Sequence, residues 1–241
     1  MSLALSGNLV LVGAGKMGGA MLEGWLKSGA DPKKVIVLDP FAADEMKALL
    51  ARHGVSLNPA IAGIANAEVI LIAVKPQMME EVLPAIVGLG ASKPLILSVA
   101  AGKTIASFER HFGKSAAIIR TIPNTPASIG RGITAMSANA NVTAAQMKLA
   151  TELLSAIGEV VIVDREELID SVTAVSGSGP AYVFYLTECL AAAAEKVGLP
   201  PALAMQLARA TVAGSGELMR VTGTDAATLR QNVSSPKGTT Y

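Results

Sequence analysis

The chain has 241 residues, enough for one large or two modest domains at about 150 residues each. Hydrophobic residues make up 51% and charged residues 16%, with mean hydropathy +0.48, which supplies a sizeable core and excludes intrinsic disorder as the main state. A formal net charge of +1 argues against a nucleic-acid surface, and one cysteine with two histidines leaves little for a disulfide framework or a metal site.

In chain order, residues 8–12 (NLVLV) read as a buried strand, followed by a helical pattern over 16–28. Strand candidates at 35–38 (VIVL), 68–74 (EVILIAV), 95–99 (LILSV) and 116–122 (AAIIRTI) follow. They alternate with helical patterns at 42–53, 78–87 and 104–112. Continuous apolar strands alternating with helices predict a βαβ array around a mostly parallel sheet. Segments 133–136, 143–157 and 160–163 extend the sheet by strand, helix and strand. No strand pattern follows residue 164, so the expected domains are 1–164, Rossmann-type α/β, and 165–241, all-α. In the second, 166–175 is helical, Gly177-Ser178-Gly179-Pro180 interrupts, and helices return at 181–197 and 202–219.

The uncharged stretches 132–147 and 171–187 are broken by Asn, Ser, Gly or Pro, and no segment supplies the roughly 20 apolar residues of a membrane span. The opening residues lack the basic and apolar regions of a secretory leader. The expectation is a soluble, cytoplasmic protein without membrane or nucleic-acid partners.

Gly13-Ala14-Gly15-Lys16-Met17-Gly18 fits G-x-G-x-x-G between the first strand and first helix. The first glycine permits a tight turn, the second lets a pyrophosphate approach backbone, and the third lets helix and strand pack closely. Asp39 ends the second strand about 20 residues later, the acidic partner of a dinucleotide fingerprint. Its carboxylate either accepts from the adenosine ribose hydroxyls, favouring NADH over NADPH, or caps the following helix. Pro40 and Phe41 offer no arginine for a 2′-phosphate. The remaining parallel-strand ends, Lys75-Pro76, Ala100-Ala101-Gly102 and Pro123-Asn124-Thr125-Pro126, should share one edge with the glycine loop. Lys75 is either part of that site or a solvated loop charge. Trp25 and Met21 read as core. Cys189 reads as a small packing residue, His53 and His111 as surface groups, and Tyr182 as core or active-site neighbour. Gly214 and Gly216 fit a helix that another backbone approaches, as in a subunit interface.

The glycine loop with Met17, the segments 73–76, 98–102 (SVAAG) and 120–126 (RTIPNTP), and above all 173–182 (TAVSGSGPAY) resemble the pyrroline-5-carboxylate reductases in the same order. Residues 235–240 (SPKGTT) resemble that family's substrate loop. The resemblance spans Leu9 to Thr240 and implies an NADH- or NADPH-dependent reduction of L-1-pyrroline-5-carboxylate to L-proline, the last step of proline biosynthesis. It implies a helical domain that forms a homodimer, assembled further into a ring such as a decamer. It places cofactor on Gly13, Ala14, Gly15, Lys16, Met17, Gly18, Ala73, Val74, Lys75, Pro76, Val99, Ala100 and Ala101. It places the substrate carboxylate on Ser235, Lys237, Gly238, Thr239 and Thr240, with the Thr240 hydroxyl near the ring nitrogen. Such chemistry needs positioning more than strong acid catalysis, because a cyclic imine is already electrophilic.

The chain departs from the family at Lys237, where members usually carry Gly, and at Val221, where many carry Glu; Glu217 lies one helical turn earlier. By the same resemblance the helical domain lacks its last helix. Two other readings share the glycine loop: a β-hydroxyacid-type dehydrogenase, for which Lys196 is the candidate lysine, and a nonenzymatic dinucleotide sensor.

Overall fold

The computed structural model describes residues 3–234 and 238. The chain runs β1 (Asn8–Val12), α1 (Lys16–Lys27), β2 (Val35–Leu38), α2 (Asp44–His53), β3 (Ser56–Leu57), β4 (Ala67–Ile72), α3 (Met79–Ile86), β5 (Leu95–Ser98), α4 (Ile105–Phe112) and β6 (Ala117–Ile122). It continues through β7 (Gly132–Ala138), α5 (Ala144–Ser155), β8 (Gly158–Ile162), α6 (Leu168–Val172), α7 (Gly179–Lys196), α8 (Pro201–Thr222) and α9 (Ala226–Asn232). The strands form one sheet in the order β3-β2-β1-β4-β5-β6-β7-β8. All neighbours are parallel except β6 and β7. The antiparallel step follows from the connection 123–131, which holds only a 3₁₀ turn at Thr125–Ile129, whereas a parallel pairing needs a longer crossover.

Alternate residues of each central strand feed opposite cores. Leu9 and Leu11 of β1 pack with Met21, Leu22 and Trp25 of α1, while Val10 and Val12 pack with Met79, Leu83 and Phe108 on the other face. Burial on both faces explains why these strands read as unbroken apolar runs. Trp25 is fully buried, and its indole N–H donates to the Leu153 carbonyl at 2.9 Å, tying α1 to α5.

Helix ends follow side-chain chemistry. α2 begins with Asp44 and Glu45 and ends with Arg52 and His53 before Gly54 at φ +70°, matching the helix dipole and the left-handed cap. The Asp44 carboxyl is held below its ordinary value by a hydrogen bond from Lys47 and by that lysine's charge. α5 opens on a capping box between Thr143 and Gln146.

The chain separates into two compact units, Met1–Ser178 and Gly179–Tyr241. Residues 165–178, which the sequence groups with the helical segment, lie with the sheet: Ile169 packs on Ile122 and Ala135. The expected interruption at 177–180 takes another form. A π-turn at Thr173–Gly177 closes with Ser178 N–H donating to the Thr173 carbonyl at 2.8 Å, and α7 begins immediately at Gly179. Pro180 is tolerated there because the first helical turn needs no amide donor. β3 and α9 are elements the sequence pattern does not reveal; β3 has two residues, and α9 opens on an Asp225 cap to Thr228 N–H.

In the second unit α7 and α8 pack around Ala191, Ala204 and Ala208, joined through Gly198 at φ +100°. Much of their apolar surface is uncovered in the single chain: Phe184 is 60% exposed and Leu186 58%. Tyr182 and Cys189 are exposed too, so neither is a core residue of the second unit among the described residues. The Tyr185 hydroxyl is raised above the ordinary tyrosine value, first by its hydrogen bond with Cys189. Among the described residues no helix is long and apolar enough to cross a membrane.

Candidate functional site

The parallel strands bring their carboxyl ends to one edge, and three backbone hydrogen bonds fix the alignment. Gly13 N–H donates to the Leu38 carbonyl at 2.9 Å, Ala73 N–H to Val12 at 2.8 Å, and Val99 N–H to Ile72 at 3.1 Å. Because β2 and β4 flank β1 on opposite sides, the strand order reverses at β1, and the glycine loop stands at this switch point. A cleft of about 1030 Å³ beside Ser6, Glu68 and Glu152 lies at the other edge, where β1 and β4 begin, away from these loops.

Each glycine of the loop has a separate geometric reason. Gly13 turns at φ +91°, with Ala73 and Val74 packed where a Cβ would stand. A Cβ on Gly18 would collide with the Gly13 carbonyl oxygen, whereas one on Gly15 would meet nothing within 4 Å. The exposed face over Gly15 therefore leaves backbone open to a ligand. No side chain caps α1, no acidic residue occupies its first turn, and Lys16 is exposed at its start. The first-turn amides and the ammonium make this end favourable for an anion. A dinucleotide pyrophosphate fits the donor set.

Asp39 is half-buried and does not cap α2, whose N-cap is Ala43. Its carboxylate braces the loop instead: Oδ2 accepts from Ala14 N–H at 2.8 Å and Oδ1 from Phe41 N–H at 2.9 Å. Lys75 is exposed and caps the 3₁₀ turn Pro76–Met78, its carbonyl accepting from Met78 N–H at 2.9 Å. Val99 is half-buried, Ala100 is buried, and Ala101 and Gly102 are exposed, a small-residue turn with Gly102 at φ +71°. Ser98 Oγ accepts from Ala100 N–H, and the Thr121 hydroxyl donates to the Ser98 carbonyl, so buried polar groups of β5 and β6 set this turn.

A buried ion-pair cluster around Arg120 also holds the edge. Arg120, 4% exposed, ion-pairs with Glu166 at 3.1 Å and Asp170 at 2.9 Å; Glu166 Oε1 also accepts from Ile105 N–H at 2.8 Å. An arginine inside the apolar run AIIRTI is the signal that could have found it. His111 has an acidic neighbour, Glu80, at 4.0 Å. Glu217 is gripped at both oxygens by Arg220. Of the expected substrate loop, only Gly238 is described, as a bend; Ser235, Lys237, Thr239 and Thr240 lie outside the described residues.

Two family models match: pyrroline-5-carboxylate reductase dimerisation over residues 166–241, and NADP oxidoreductase, coenzyme F420-dependent, over residues 8–102. A pyrroline-5-carboxylate reductase from a Synechocystis species is 41% identical, covering 98% of this chain and 88% of the relative. The solved structure of such a reductase from Coxiella burnetii is similar at TM-score 0.90 and 34% identity, over 98% of this chain and 88% of that one. The Plasmodium falciparum pyrroline carboxylate reductase, solved with NADP bound, matches at TM-score 0.81 and 27% identity, over 98% and 87%.

Proposed function

The chain belongs to the pyrroline-5-carboxylate reductase family, and we propose that it reduces L-1-pyrroline-5-carboxylate to L-proline, the closing step of proline biosynthesis. The observation that carries this reading is the 41% identity extending over 98% of the chain, well beyond the glycine loop that many dehydrogenases share. It also sets aside the hydroxyacid dehydrogenase and sensor readings.

NAD(P)H supplies the hydride when bound. The glycine loop and the uncapped start of α1 are assigned to its pyrophosphate, and the turns 73–76 and 99–101 to its nicotinamide side. Small side chains at Ala100 and Ala101 give a flat ring close access to backbone. Asp39 is assigned to the adenosine ribose and favours NADH, since a carboxylate repels a 2′-phosphate and neither Pro40 nor Phe41 attracts one. By family likeness, Ser235, Lys237, Gly238, Thr239 and Thr240 receive the substrate carboxylate, and the Thr240 hydroxyl donates toward the ring nitrogen. An outward-facing Lys237 costs little; an inward one adds charge for the carboxylate.

Residues 165–241 are assigned to dimerisation, which the family model over 166–241 supports, and to substrate binding, with 165–178 joining the sheet unit to the helices; the exposed apolar side chains of α7 support burial against a second copy. Further assembly into a ring such as a decamer, and a cytoplasmic location, extend the same reading; the single cysteine fits a reducing compartment.

The test is loss of NADH absorbance on adding pyrroline-5-carboxylate, set beside 3-oxo acids, which a hydroxyacid dehydrogenase would reduce, and no substrate. Turnover with the cyclic imine alone is expected; turnover with oxo acids alone, or binding of NADH and NADPH without turnover, would sink the assignment.

A further inference from the structure

We infer that Asn58 is a positioning residue for nucleotide discrimination, acting through Asp39. Asn58 follows β3 and holds φ +50°, a left-handed conformation that side-chain-bearing residues other than Asn and Asp rarely adopt. In that conformation its amide meets the backbone of Asp39 twice. Asp39 N–H donates to Asn58 Oδ1 at 2.7 Å, and Asn58 Nδ2 donates to the Asp39 carbonyl at 2.9 Å. Asn58 N–H also donates to the Val37 carbonyl at 2.8 Å, which anchors Asn58 itself to β2.

Asp39 is therefore held from two directions. Asn58 fixes its backbone from the edge-strand side, while Ala14 N–H and Phe41 N–H fix its two carboxylate oxygens. An amide suits this task because one short side chain carries both a donor and an acceptor and tolerates the left-handed region. The consequence concerns selectivity. A carboxylate held in one place both accepts from a ribose diol and repels a 2′-phosphate; released from its clamp it does each less well. The inference rests on the assignment of Asp39 to the ribose.

Fluorescence titration of the full chain with NADH and NADPH tests it, using wild type, Asn58→Gly and Asp39→Asn. Glycine adopts φ +50° without strain, so Asn58→Gly removes both amide contacts while sparing the turn. The expected result is an NADH Kd about tenfold higher, from two lost hydrogen bonds, with the NADPH Kd changed less than about twofold. Thermal melting confirms that the variant is folded. If Asp39→Asn shifts the nucleotide ratio toward NADPH and Asn58→Gly leaves it at the wild-type value, the inference is overturned while the ribose assignment stands. If Asp39→Asn leaves the ratio unchanged, or wild type prefers NADPH, that assignment falls and takes the inference with it.

Discussion

Arg120 and Glu166, 46 residues apart, form a 3.1 Å ion pair on β6 with the guanidinium almost wholly buried. The same carboxylate oxygen accepts from Ile105 N–H, the first residue of α4. One acidic side chain thus links the turn leading out of β5 to the start of the segment carrying the π-turn.

Arg120→Ala is expected to lower unfolding stability by about 3 kcal/mol, since removing one partner of a buried pair strands the other. Glu166 is only partly buried, so the loss should fall at the lower end of such cases. Arg120→Met, with similar volume and no charge, should cost less than the alanine variant. Urea denaturation of both variants measures the difference; equal losses would assign the cost to the lost ion pair and none of it to packing.

Gly15 and Gly18 should separate binding from folding. Gly15→Ala adds a methyl that meets no protein atom, so the melting temperature should hold while NADH affinity drops at least about tenfold, as expected where a ligand needs backbone contact. Gly18→Ala forces α1 away from the Gly13 carbonyl, an overpacking change costing roughly 1–3 kcal/mol. Calorimetry and nucleotide titration on the pair check both expectations, and an unaffected Gly15→Ala would remove the loop from the nucleotide site.

These glycines, the place of Asp39 at the end of β2 and the alternation of strands with helices were legible because each leaves a local mark: a turn that needs glycine, or an apolar run covered on both faces. What stayed hidden depends on distant partners. Nothing around Asn58 signals that its amide will meet Asp39, 19 residues earlier, and β3 is too short to show alternation. The expected break at Gly177–Pro180 became a π-turn because glycine and proline sit where a helix is already changing its hydrogen-bond pattern. Cys189 and Tyr182 read as packing residues by their apolar helix, but both are exposed among the described residues.

Thr240→Val keeps the shape of the side chain and removes its hydroxyl. Given the proposed contact with the imine nitrogen, kcat should fall about 10²-fold or more, the range for a positioned proton donor, while the Kd for NADH stays within about twofold. Single-turnover kinetics with pyrroline-5-carboxylate and a parallel NADH titration separate the two. A normal kcat would take Thr240 out of the reaction.

Phe184 sits mid-helix on α7, 60% exposed in the single chain, beside Tyr185 and Leu186 at similar exposure. Leaving such aromatic surface in water is unfavourable at roughly 25 cal/mol per Å², so a second copy gains by covering it. Placing a charge there should oppose association without disturbing the core of the chain, because the site contributes little to that core. Phe184→Asp is therefore expected to shift the protein from dimer or larger ring toward monomer in light scattering, with the helical content by circular dichroism kept. Retention of the full assembly by this variant would move the interface off this face of α7, and a wild-type monomer with full activity would remove the need for one.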